Sequence, residues 1–217
     1  RGMPKMIVVN AFDKEETDCD ATLAQIREHF GDRVFPLTIP LNAGPGFNRV
    51  LDVQRNEVIT YATDKSGKYT EAPAAGADPD RVKQLHAQLI EYIAESDDSL
   101  MEKFFAQGGL SEEEMRAGFH AAVQQQVFVP LFCTSAETNI GVARLLDFIA
   151  KYASSPADLQ KAKATDADGR AVEVALTDPD PLVYIFKTMS EAQFGELSFF
   201  RVYCGSVKFG TELYNTD

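Results

Sequence analysis

The chain has 217 residues, of which 45% are hydrophobic and 25% charged, enough for one large domain or two modest ones. Its net charge of −12 repels bare nucleic acid at long range, so no sequence-specific DNA partner is expected. No apolar run approaches the roughly 18–20 residues that span a bilayer, so no membrane partner is expected either.

Cys19, Cys133 and Cys204 lack any CxxC pair, and His29, His86 and His120 lack ligand spacing. This argues against a disulfide framework and against a metal site, and it favours a reducing, cytoplasmic location. The opening "RGMPKMIVVN" has no secretory-signal pattern. It runs straight into a strand, so it reads as a segment of a longer chain with essential parts expected upstream.

"KMIVV" (5–9) is short, apolar and β-branched, as a buried strand of a parallel sheet is. The polar stretch "NAFD" (10–13) follows it. Asp18 or Asp20 then caps a helix with Leu23, Ile26 and Phe30 on one face, ended by Gly31. "RVFPLTIPL" (33–41) is extended but carries two prolines, which suits a sheet edge or a connection. Residues 41–73 alternate apolar and polar residues around Gly and Asn turns, as small antiparallel strands do.

Asp78 followed by Pro79 opens a helix with Val82, Leu85, Leu89 and Ile93 on one face. A shorter helix, "DSLMEKFFAQ", precedes Gly108–Gly109, and Ser111 with Glu114 forms a capping box for a third. "VFVPLFC" (127–133) is a second buried strand, and "IGVARLLDFIAKYA" (140–153) the helix after it. Residues 157–181 are polar and turn-rich, a linker with one short strand at its centre. From Leu182 three strands follow as a meander, "LVYIFKTM", "GELSFFRVYCG" and "SVKFGTELYN", the opening of a β-barrel. The acidic runs "ESDD" (95–98) and "SEEE" (111–114) read as solvated helix turns or, more sharply, as the surface for a basic partner protein.

Two strands thus end in polar loops that lead into helices: "VVNAFDK" and "LFCTSAETN". In open α/β sheets ligands sit beyond the carboxyl ends of the strands. An Asp there can accept from the ring NH and exocyclic amine of guanine, and an Asn can tie the loop to neighbouring backbone. A Ser-Ala loop can offer a backbone NH to guanine O6. Such selection is strong because the wrong base leaves buried polar groups unpaired.

With these loops in this order, the whole chain resembles the middle of elongation factor G, a ribosomal translocation GTPase. The family's guanine loop NKxD is "NAFD" here, and its second loop SA is "SAE" (135–137). "VFPLTIPL", "FNRVLDVQRNEVITY", "AESDDSLMEKFF" and "LSEEE" resemble the family's inserted subdomain, in order. "LLDFIAKYASSP" and "GELSFFRVYCGSVKFGTELYN" resemble the end of its GTPase domain and the start of its second domain.

The resemblance implies an α/β fold, the C-terminal part of a P-loop GTPase domain holding the last two strands of its sheet. That part would span residues 1–156 with an α+β insert at about 38–126, then a linker (157–181) and part of an all-β barrel from 182 to 217. It implies GTP or GDP binding through Asn10, Ala11, Asp13, Ser135 and Ala136, with the ribosome as partner and its stalk facing the acidic insert. Cys204 stands where the family commonly has Ser, a packing change.

Two departures bear on activity. No GxxxxGK[ST] occurs in these residues, so phosphate and Mg²⁺ binding and the catalytic positioning of GTP hydrolysis are expected only from residues upstream; this segment alone is not expected to be a GTPase. Ala11 replaces the family lysine, whose stem lies along the guanine ring, so weakened rather than reassigned specificity is expected. Lys14 is expected to face elsewhere. Three functions stay open: a translocation factor of the elongation factor G type, a ribosome-binding paralogue with weakened or lost GTP dependence, and a purely structural interaction module.

Overall fold

The computed structural model describes residues 3–74, 78–108, 110–166 and 168–215. They form two units, Arg1–Ser154 and Ser155–Asp217, each described by itself.

The first unit begins with strand β1 (Ile7–Val9) and helix α1 (Cys19–Phe30). Asp18 caps the helix, its side chain accepting from Ala21 N–H at 3.0 Å. Gly31 ends it at φ 90°, donating its N–H to the Arg27 carbonyl, a conformation that favours glycine. Leu23 and Ile26 pack against the core, but Phe30, expected beside them, is largely exposed. It occupies the last position of the helix, where the chain turns away.

Strands β2 (Val34–Pro36) and β3 (Thr38–Pro40) come next. Each lies at the edge of a different sheet, where a proline's missing N–H costs no ladder bond. Leu37 is the crossing point: it donates to Leu131 O at 2.8 Å and accepts from Val53 N–H at 3.0 Å. Strands β4 (Arg49–Asp52), β5 (Glu57–Tyr61) and β6 (Tyr69–Pro73) complete an antiparallel sheet in the order β3-β4-β5-β6.

Helices α2 (Pro79–Ala94), α3 (Asp98–Gln107) and α4 (Glu112–Gln124) follow. Asp78, Asp97 and Ser111 cap them, the last within a complete capping box with Glu114. Gly108 ends α3 in the left-handed region; Gly109 lies outside the described residues. A Cβ at Gly118 of α4 would come within 2.6 Å of Leu100 and 2.7 Å of Ile93, so glycine sets how closely α4 approaches α2 and α3.

Strand β7 (Val129–Cys133) and helix α5 (Val142–Tyr152) close the unit. β7 is the middle of a parallel sheet ordered β1-β7-β2. The described residues therefore hold three parallel strands where two were expected. β2 falls in the stretch 33–41 expected to be extended at a sheet edge, but three residues ending in proline carry no period that shows which sheet they join. β1 is also not buried as expected: it is an edge strand, paired on one side, with Val8 exposed.

The larger of two apolar clusters joins Phe35, Phe119, Phe128, Phe132, Phe148 and Tyr152. Its rings meet edge-on or tilted, as Phe119 does with Phe128, Phe148 and Tyr152, an arrangement aromatic quadrupoles favour. The second cluster, Phe12, Val34, Phe47, Val50, Ile59, Tyr61, Leu131, Cys133 and Ile140, lies beneath the polar loops at the strand ends. Between the antiparallel sheet and α5, Arg144 pairs with Asp52, Nε to Oδ2 at 2.7 Å, with both residues buried. Cys19 and Cys133, 114 positions apart, are free thiols with Sγ atoms 4.0 Å apart, a proximity their spacing did not announce.

In the second unit, residues 161–175 form a hairpin of β8 (Lys161–Thr165) and β9 (Ala171–Ala175) where a linker with one strand was expected. β10 (Leu182–Glu191) and β11 (Gly195–Cys204) form a second hairpin. The expected third strand at 206–215 is not formed; these residues run without strand pairing. Cys204 is buried and its thiol donates to the Asp180 carbonyl at 3.2 Å, the bond a serine hydroxyl would make. Among the described residues no helix is long and apolar enough to cross a membrane, and no group of three or more metal-ligating side chains occurs.

Candidate functional site

The loop after β1 is shaped by its backbone before its side chains. Ala11 sits at φ 72°, a left-handed conformation that costs a non-glycine residue about 1 kcal/mol or more. That strain closes a turn in which Lys14 N–H donates to the Ala11 carbonyl at 3.1 Å. Phe12, apolar within a polar loop, is buried against Phe47 with ring centroids 6.1 Å apart. Phe12 N–H donates to Thr134 O at 3.2 Å, and Gly44 N–H donates to Phe12 O at 2.8 Å. The loop is thereby held both by the end of β7 and by the loop that precedes β4.

The loop after β7 folds back on itself: Ser135 and Ile140 exchange two backbone hydrogen bonds of 2.9 Å each. Ser135 is fully buried, and its oxygen accepts from Thr138 N–H at 3.3 Å and from the Thr138 hydroxyl at 2.7 Å. Asn139 Nδ2 donates to Lys65 O at 3.4 Å. At Gly67, φ 72° favours glycine, and a Cβ would sit 2.6 Å from that Asn139 amide, which would have to move aside for the β5–β6 turn to keep its approach.

The two loops meet. Asn10 Oδ1 accepts from Ala136 N–H at 2.9 Å and from the Thr134 hydroxyl at 3.3 Å, bonds that span 126 and 124 positions of sequence. Asp13 lies beside Ser135, whose nearby hydroxyl, with the Lys14 ammonium in support, holds the Asp13 carboxyl below the usual carboxylate range. Its side chain is 12% exposed, and Oδ1 is buried with no hydrogen-bond partner. Such an acceptor is costly to leave unpaired, so it is an open position for a donor brought by a ligand. Asn10 and Ala136 are exposed, so the site opens outward.

All five residues singled out from the sequence, Asn10, Ala11, Asp13, Ser135 and Ala136, converge here. Lys14 does not face elsewhere, as its place one residue after Asp13 suggested. The turn at Ala11 swings it back, and its Nζ lies 3.4 Å from Asp13 Oδ2 and 2.8 Å from Glu137 Oε2. Phe12, Thr134 and Glu137 also belong to the site and were missed. Phe12 alone carried a signal, as a large apolar residue inside an otherwise polar loop.

No family model matches the chain. It is 31% identical over 214 residues to elongation factor G of Mycoplasma pneumoniae, covering 98% of this chain and 31% of that protein. A crystal structure of a Thermus thermophilus protein superposes with a TM-score of 0.73 at 26% identity, over 97% of this chain and 29% of the other. The chain is thus homologous to elongation factor G and spans about a third of the length of the relatives it matches. Its mixed architecture, a parallel sheet with helices plus antiparallel sheets, agrees with such a partial region.

Proposed function

We propose that this chain is the guanine-reading and insert-bearing part of a GTP-binding translation factor of the elongation factor G type, acting on the ribosome in the cytoplasm. The carrying observation is the buried, unpartnered Oδ1 of Asp13 beside the Ser135–Ala136 loop. Guanine offers two adjacent N–H donors to such a carboxylate, and adenine offers none in that arrangement. Asn10 spends its own oxygen on Ala136 and Thr134, so its role is to join the loops, while Asp13 reads the base. Ala11 gives the turn its shape.

We place the end of the GTPase domain at 156, its insert at about 38–126, a connecting stretch at 157–181 that carries the β8–β9 hairpin, and the barrel domain from 182. The acidic helix turns at 95–98 and 111–114 are the surface proposed to face the ribosomal stalk. Phosphate and Mg²⁺ chemistry is assigned to residues outside this sequence, since it has no phosphate-loop motif. These residues alone are not expected to hydrolyse GTP.

Ala11 supports a second reading, a ribosome-binding paralogue with weakened dependence on the nucleotide. Loss of the lysine stem and charge weakens binding by about ten- to a hundredfold, or ~1–3 kcal/mol. The test is a fluorescent-GDP titration of the full-length protein beside an Ala11→Lys variant, with ADP as competitor. Guanine-selective binding that the variant tightens supports the first reading. Absence of binding by both, with ribosome association intact, moves the assignment to the paralogue.

A further inference from the structure

We infer that Lys14 is a positioning residue of this site: its ammonium, held by Glu137, closes the two loops on each other and orients the Asp13 carboxylate toward the base. This deepens the guanine-reading assignment above and rests on it.

Lys14 belongs to the first loop and Glu137 to the second, 123 positions away, and their 2.8 Å contact spans the mouth between the loops. The same ammonium lies 3.4 Å from Asp13 Oδ2, while Oδ1 stays buried and unpaired. A carboxylate can turn about its Cβ–Cγ bond and present either oxygen. A cation on one oxygen breaks that symmetry and leaves the other inward. Without Lys14, Asp13 and Glu137 are like charges on facing loops, which would push them apart.

The lysine is itself fixed at its base. Its N–H donates to Ala11 O at 3.1 Å, and its carbonyl accepts from the Thr17 hydroxyl at 3.1 Å. Position 11 offers nothing beyond Cβ, so the loop's cation comes from position 14 and sits near the base-reading carboxylate. The substitution at 11 and the clasp at 14 are therefore separate: one concerns the ring face, the other the ring edge.

Lys14 and Glu137 are 59% and 62% exposed in their side chains. Solvent screening makes such a pair modest and salt-dependent, so the expected effect of removing it is about two- to fivefold in affinity.

The test uses the full-length protein and measures binding of GDP, inosine diphosphate (which lacks the exocyclic amine) and ADP, for wild type, Lys14→Met, Lys14→Arg, Glu137→Gln and the Met/Gln double variant. Thermal unfolding of each variant reports separately on the fold. The expected result is a loss of GDP affinity of about two- to fivefold in Lys14→Met, with a narrowed GDP-over-inosine diphosphate ratio. Lys14→Arg should retain the wild-type ratio, Glu137→Gln should cause no further loss in the Met background and recover part of it by removing the repulsion, and the differences should shrink at high salt. If wild type prefers GDP over ADP and Lys14→Met matches it for both GDP and inosine diphosphate, the clasp positions nothing and the inference falls. If Lys14→Met weakens GDP and inosine diphosphate equally, the residue only holds the loops, and its orienting role is overturned. If wild type shows no preference for GDP over ADP, the guanine-reading assignment fails and takes the inference with it.

Discussion

The two units are built from similar materials and differ in where their aromatic rings end. In residues 3–154, Phe12, Phe35, Phe47, Phe119, Phe128, Phe132 and Phe148 are all buried, in clusters that join sheets to helices. In residues 155–215, Tyr184, Ile185, Phe186, Phe199 and Phe200 remain exposed along the β10–β11 hairpin. Among the described residues of that unit only Ala162 and Cys204 are buried apolar side chains. A sheet gains stability by covering one face with a second layer. The first unit contains such layers, whereas among the described residues of the second the strands carry exposed apolar side chains that no second layer covers.

The largest effect should come from splitting the first unit's layers. Asp52→Ala removes the buried partner of Arg144 between the antiparallel sheet and α5 and leaves it only the half-exposed Asp147, 3.5 Å away; it should cost about 3 kcal/mol in urea unfolding followed by far-UV circular dichroism. Phe119→Ala should cost a similar ~3–5 kcal/mol, since that ring touches Phe128, Phe148 and Tyr152.

A smaller effect belongs to the helix caps. Ser111→Ala should remove about 1 kcal/mol, visible as faster amide exchange in the first turn of α4. The same turn should respond to acid. Lys103, together with the Ser111 backbone and hydroxyl, lowers the Glu114 carboxyl from 4.5 to about 2. A depressed carboxyl stabilises the folded form fully above its unfolded value, so protection of this turn should hold above about pH 4.5 and decline as pH falls toward about 2.

The smallest effect is the counterpart of the second. Phe200→Ala, at an exposed position of β11, should change stability by no more than about 0.5 kcal/mol in the same unfolding assay. A cost equal to that of Phe119→Ala would break the comparison, because it would mean that the ring is covered in solution.

Local signals carried much of the first unit. Asp78–Pro79, the Ser111–Glu114 box and the apolar spacing of Val82, Leu89 and Ile93 act within one or two turns, so the helices they define can be read directly from the chain. The strand–loop–helix order likewise pointed to Asn10, Ala11, Asp13, Ser135 and Ala136 before any geometry was known. Other features left no local trace. The extended character of 33–41 was legible, but β2 is three residues with a terminal proline, too short to show which sheet it joins. β8 and β9 alternate alanine or valine with charge, "KAKAT" and "AVEVA", too weakly apolar to stand out from a linker. The run 206–215 alternates well enough to suggest a strand, but none is formed there among the described residues.

What the sequence by itself determined is therefore the set of things that depend on neighbours along the chain: caps, helix faces, turn glycines and the residue types in the two loops. Tertiary structure alone decided which distant groups meet. It set Asn10 against Ala136, Asp52 against Arg144 and Cys19 against Cys133, and it turned Lys14 back toward Asp13 and Glu137. The physical reason is that periodicity encodes which way a side chain faces within its own element. Partner identity instead depends on how elements pack, and a strained turn such as the one at Ala11 redirects a side chain in a way no spacing rule records.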